Sequence, residues 1–77
     1  MNSPESRPQV VIVIPVFNEE SVLPELLRRL SMVFDGEKCG AWRAVLVDDG
    51  SRDRTAELVR AQAERDSRFE LDRKSTV

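Results

Sequence analysis

Five consecutive residues, Val10-Val11-Ile12-Val13-Ile14, are all β-branched and apolar, and this run most narrows what the chain can fold into. Branching at Cβ stiffens the side chain and favours extended backbone. Because strand side chains alternate between faces, a run with no polar residue presents apolar groups on both. Such a strand belongs in a sheet with cover on both sides, the pattern of an α/β fold. From Val10 to Phe17 the apolar stretch is eight residues with Pro15 inside it, far short of the roughly 20 needed to cross a bilayer. Pro15 has no N–H to donate and is expected to end the strand. Asn18-Glu19-Glu20-Ser21 then makes a polar break at the strand's carboxyl end.

A helix is expected next, with Ser21 as its N-cap and Pro24 in the first turn, where a missing N–H costs no intrahelical bond. Leu23, Leu26, Leu27, Leu30, Val33 and Phe34 fall at the spacing of one helical face, and Asp35-Gly36 stops the pattern. Ala44-Val45-Leu46-Val47 resumes an apolar run and reads as a second buried strand, closed by the turn Asp48-Asp49-Gly50-Ser51. Ser51 or Asp53 can cap a second helix reaching about Arg65, with Ala56, Val59 and Ala63 on one side and Thr55 and Gln62 bordering them. Arg68 to Leu71 alternates as a third strand would. The order β-α-β-α-β implies a parallel sheet with right-handed crossovers. Two successive crossovers running the same way put both helices on one face, so the other face of Val10–Ile14 has no cover from this chain. The expected organisation is a flexible leader over 1–8, a Rossmann-like α/β part over 9–71 that is incomplete by itself, and an unstructured tail or truncation point over 72–77.

Charge and composition exclude several function classes. Among 77 residues, 12 basic and 14 acidic side chains give a net charge of −2, and the hydrophobic share is 40%. That is globular rather than disordered, and the lack of a basic stripe argues against nucleic acid as a partner. One cysteine, Cys39, and no histidine exclude a disulfide framework and a His/Cys zinc site within one chain. The start MNSPESRPQ lacks an apolar core of the signal-peptide kind, so a cytoplasmic location is the expectation.

The chemistry-bearing residues gather where the two strands end. The topology brings the Pro15–Glu19 and Asp48–Ser51 loops together into one crevice lined by Phe17, Asn18, Glu19, Asp48 and Asp49. No glycine-rich turn follows the first strand, which argues against a dinucleotide fingerprint. The acidic pair follows the second strand rather than the first, unlike a phosphorelay receiver, and adjacent aspartates before Gly50-Ser51 do not fit the spacing of a haloacid dehalogenase phosphatase. A carboxylate at a strand end accepts from N–H donors. Uracil and guanine present a ring N–H and adenine does not, while Phe17 offers a face for any base to stack on. The crevice suits a uridine or guanosine nucleotide.

Taken together, VVIVIPVFNEE (Val10–Glu20) and VLVDDGSRDRT (Val45–Thr55) resemble the opening of the family 2 glycosyltransferases of GT-A fold. The wording is closest to the branch that moves a sugar from a nucleotide diphosphate onto dolichyl, undecaprenyl or another polyprenyl phosphate. The resemblance covers roughly residues 9 to 71. It implies that Pro15, Phe17 and Glu19 border the nucleoside, that Val47 and Asp49 contact the base, and that Asn18 and Asp48 shape the pocket. It also implies a UDP- or GDP-sugar donor, a polyprenyl-phosphate acceptor at the membrane surface, and a peripheral place on the cytoplasmic face. The family's divalent metal, Mg or Mn, is held by a later Asp-x-Asp that this sequence lacks, so no catalytic or metal-binding residue is assigned here. Arg73-Lys74-Ser75-Thr76 departs from the family's continuation. The alternative is a non-catalytic remnant, truncated or frame-disrupted, that keeps a nucleotide-binding fragment and self-associates through its bare sheet face.

Plainer roles are open for several of these residues. Asp48-Asp49 could be a solvated turn capping the next helix, Glu19 and Glu20 acids favoured at a helix N-terminus, and Phe17 a plug at the strand end. Trp42 is expected to be an edge-packing residue, and Arg52, Arg54, Arg60, Arg65 and Arg68 a solvated series.

Overall fold

The computed structural model describes residues 9–36 and 41–73. The leader 1–8, Cys39 and the segment 74–77 lie outside the described residues. Three strands, β1 (Gln9–Val16), β2 (Ala41–Asp48) and β3 (Phe69–Arg73), alternate with two helices, α1 (Leu23–Gly36) and α2 (Thr55–Arg65). All three strands are parallel in one sheet of order β1-β2-β3. This is the β-α-β-α-β parallel order read from the sequence.

Pro15 does not end β1. The strand pairs with β2 from Gln9↔Ala41 to Val16↔Asp48, and Pro15 stands opposite Val47. The reason lies in the alternation of backbone groups. The Val16 carbonyl accepts from Asp49 N–H at 3.2 Å, so Val16 faces β2 and its neighbour Pro15 faces away. The missing donor falls on an edge that is unpaired among the described residues, where proline is tolerated. β2 is likewise longer than its apolar run, because the pairing with β1 carries it from Ala41 through Asp48.

The core is one-sided. Val16, Leu23, Leu27, Phe34, Ala44, Leu46, Val59 and Phe69 form the buried cluster, drawn from all three strands and both helices, with Ile12, Ile14, Trp42 and Leu71 packed against it. Both helices therefore cover the same face. On the opposite face Val11 and Val13 are 54% and 64% exposed, so the second greasy face of β1 is bare. Trp42 packs at the margin, its ring 6.2 Å from that of Phe34, and Phe69 stands 5.5 Å from Phe34 on another side.

Four further sequence expectations change. The turn into α1 is closed by the Glu19 carbonyl, which accepts from Val22 and Leu23 N–H at 3.1 and 3.0 Å, rather than by Ser21. Pro24 still sits harmlessly in the first turn. Val33 is exposed, because it sits at the border of the α1 stripe with nothing among the described residues to cover it. Arg68 is not simply solvated: its guanidinium lies 5.6 Å from the Phe34 ring centre and pairs with Asp66 at 2.7 Å and Asp35 at 3.0 Å. Finally, β3 runs past Leu71, with Asp72↔Val47 and Arg73↔Asp48 in register. The polar end of β3 hides its strand character from sequence, since both Asp72 and Arg73 are exposed and the pairing with β2 supplies the order.

Candidate functional site

At the carboxyl ends of β1 and β2 the two loops are laced together by hydrogen bonds in which backbone donates to side chain. Asn18 N–H donates to Ser51 Oγ at 2.9 Å, Glu19 N–H to Thr55 Oγ1 at 2.8 Å, and Glu20 N–H to Asp53 Oδ2 at 3.1 Å. In the other direction Arg52 N–H donates to Asn18 Oδ1 at 2.8 Å and Arg54 N–H to Glu20 Oε1 at 3.4 Å. Asn18 itself has φ +50°, a left-handed conformation that asparagine adopts more readily than most residues. That turn is what lets its N–H and its side-chain oxygen both reach the second loop.

Two of these bonds belong to a repeated device of acid, hydroxyl and backbone amide. Asp48 Oδ1 accepts from Ser51 N–H at 3.1 Å and also from the Ser51 hydroxyl. Asp53 Oδ1 accepts from Thr55 N–H at 2.9 Å and from the Thr55 hydroxyl at 2.5 Å. A hydroxyl has one proton and two lone pairs. With its proton committed to the carboxylate, each hydroxyl oxygen is left as an acceptor, and Asn18 and Glu19 N–H fill that role across the crevice. The Thr55 hydroxyl, with help from the N–H groups of Thr55 and Glu20, holds the Asp53 carboxyl below its ordinary value. Ser51 is therefore no helix cap; α2 begins at Thr55, and Asp53 closes the turn before it.

The structure places the sequence-predicted site residues in two groups. Pro15 and Val47 are register partners on the open face of the sheet. Phe17 is 54% exposed and Asp49 is exposed just beyond them. Pro15 is exposed as well, and Val47 is half-buried. Asn18, Glu19 and Asp48 are instead engaged within the framework. Glu19 Oε2 accepts from Phe17 N–H at 3.1 Å, which steadies the backbone of the aromatic residue. Asp48 is fully buried on the helix-covered side. Sequence reasoning passed over Ser51 and Thr55 as crossing ties, although the D-x-x-S and D-x-T spacings were the available signal. It also passed over Arg73, whose Nε stands 3.2 Å from Asp48 Oδ2. Nothing local announces that pair, because it exists only through the β2–β3 register.

The carboxylates here do not fit a metal. Among the described residues no group of three or more His, Cys, Asp or Glu side chains could hold an ion, and Glu19, Glu20, Asp48 and Asp53 already accept from protein donors. No described helix is long and apolar enough to cross a membrane.

Comparison with known proteins bears on what such a corner serves. The family described as Glycosyl transferase family 2 matches residues 11–76. An undecaprenyl-phosphate 4-deoxy-4-formamido-L-arabinose transferase of Pseudomonas aeruginosa (strain LESB58) is 61% identical over 57 residues, 74% of this chain and 16% of that protein. The protein of the same name from Salmonella paratyphi B is 51% identical over 61 residues, 77% of this chain and 18% of that protein. The chain thus spans less than a fifth of the length of these relatives. No solved structure matches it. Since the family match contains both strand-end loops and every element between them, this chain belongs to glycosyl transferase family 2.

Proposed function

We propose that the chain is the nucleotide-binding segment of an enzyme that transfers a sugar from a nucleotide diphosphate to a polyprenyl phosphate. The observation that carries this reading is the pair of crossing ties, Ser51 to Asn18 and Thr55 to Glu19, which hold the two loops at a fixed separation and leave Asp49 and Phe17 exposed at one corner. A preorganised corner of this kind loses little entropy on binding. Phe17 would stack on the base, and the Asp49 carboxylate would accept from a ring N–H, which uracil and guanine have and adenine lacks. Pro15 and Val47 would floor the pocket, while Asn18, Glu19 and Asp48 keep its walls in place. The names of the relatives support an undecaprenyl-phosphate acceptor. A phosphate acceptor is already ionised near neutral pH, so a strong general base is less needed than for a sugar hydroxyl. An acceptor with a lipid tail would bring the enzyme to the cytoplasmic face of a membrane. The divalent cation expected of the family is assigned to residues beyond those described here.

Calorimetric titration tests the base recognition. UDP or GDP should bind more tightly than ADP, and Asp49→Ala should lose about 1–3 kcal/mol for the preferred nucleotide. Equal affinity for all three nucleotides would sink the reading. The second reading is a nucleotide-binding fragment without transferase activity. Sugar transfer by the chain alone would exclude it, whereas transfer only after addition of the downstream part of a relative would support the division of labour proposed here.

A further inference from the structure

Asp48 is fully buried, yet its Oδ2 accepts no hydrogen bond from the described residues. The cation at that oxygen is Arg73, its Nε 3.2 Å away but out of line for a hydrogen bond, so the contact is ionic. Arg73 reaches in from the end of β3, where it is the register partner of Asp48, and its side chain remains 51% exposed. Asp48 Oδ1, by contrast, is fully occupied with the Ser51 N–H and hydroxyl.

A carboxylate taken out of water without a counter-charge takes up a proton or leaves the interior. Either change reaches the crevice. Without its counter-charge Asp48 holds the Ser51 proton less firmly, and the Ser51 hydroxyl is then free to rotate and stop accepting from Asn18 N–H. The surroundings sharpen the need for a cation, since Glu19, Glu20, Asp49 and Asp53 flank the same loops, with Arg52 and Arg54 at their outer rim.

We infer that Arg73 is a positioning residue for the nucleotide: by pairing with the buried Asp48 carboxylate it fixes the Ser51–Asn18 tie, and through it the presentation of Asp49 and Phe17. This inference rests on the nucleotide-binding reading above. Arg73 acts through Asp48 and touches no ligand.

The test uses the 77-residue chain with Arg73→Gln, Arg73→Lys, the double variant Arg73→Gln/Asp48→Asn, and Arg43→Ala as a charge-matched control at the other end of the sheet. UDP and GDP affinities are measured by NMR titration, and hydrogen exchange is followed at the amides of Asn18, Ser51 and Arg52. Arg73→Gln should weaken nucleotide binding by about tenfold, the scale of one charge-assisted interaction, and lower protection of the loop amides more than that of Ala44 and Leu46. Arg73→Lys should keep most of the affinity, the double variant should recover a substantial part of it, and Arg43→Ala should match the wild type. A uniform loss of protection with unchanged affinity in Arg73→Gln overturns the inference, as does a double variant no better than the single one. If the wild type binds neither nucleotide, the nucleotide-binding reading fails, and the exchange pattern alone still decides whether Arg73 holds the Asp48–Ser51 turn.

Discussion

One oxygen on Ser51 and one on Thr55 each join two segments that are far apart in sequence. Each gives its proton to a nearby aspartate and accepts an N–H from the opposite loop. Ser51→Ala removes both partners at once, leaving Asn18 N–H without its acceptor and Asp48 Oδ1 with the Ser51 N–H alone. We expect a loss of about 1–3 kcal/mol of stability in urea unfolding, the range for stranding a buried polar group; a change within a few tenths would mean that water replaces the hydroxyl. Acidification probes the same ties from the other side. Asp53, and likewise Asp66 beside Arg68, have folded-state values below the ordinary 3.8. The unfolded chain therefore binds more protons in the window between the two values, so stability should be fully present above about pH 4 and fall as the pH drops through the lower, folded values. Asp53→Asn should flatten this acid limb in pH-dependent thermal melts, and an unchanged limb would show that Asp53 is not coupled to folding.

Among the elements, what could be read from sequence was what depends on local pattern. The β-branched run of β1, the leucine stripe of α1 and the short apolar run of β2 each declare their type, and the stripe of α1 its buried face as well. What escaped depends on partners. Pro15 continues β1 because of the edge it faces, and Asp72 and Arg73 are strand because β2 lies beside them. The site divides the same way: Phe17, Asn18, Glu19, Asp48 and Asp49 were visible as a loop cluster, but which of them stay free and which are tied was settled by register and by the left-handed turn at Asn18. Arg68 illustrates the cost of reading charges one at a time. It links the end of α1, through Asp35, to the turn before β3, through Asp66, while lying over Phe34. Arg68→Ala should lower stability by about 1 kcal/mol, most of it from the lost contact with the ring. Arg68→Lys should recover only part of this in the same unfolding assay, since lysine cannot fork between two carboxylates.

The molecule as a whole has one finished face and one bare one. Val11 and Val13 stand exposed on a strand whose outer edge is also unpaired among the described residues, a combination that favours pairing with another chain. We expect the isolated chain to self-associate at micromolar concentration in sedimentation velocity runs. Val13→Lys should shift it toward monomer without loss of helical circular dichroism, and an unchanged oligomer distribution would place the contact elsewhere. Spatial order and chain order also coincide among the described strands: β1 lies against β2 and β2 against β3. During synthesis from the amino terminus, every group of both acid–hydroxyl–amide relays has left the ribosome once Thr55 has emerged. Arg73, the cation that balances the buried Asp48, comes eighteen residues afterwards. The groups of the crevice thus emerge first, and the charge that balances them last, with the closing residue of β3.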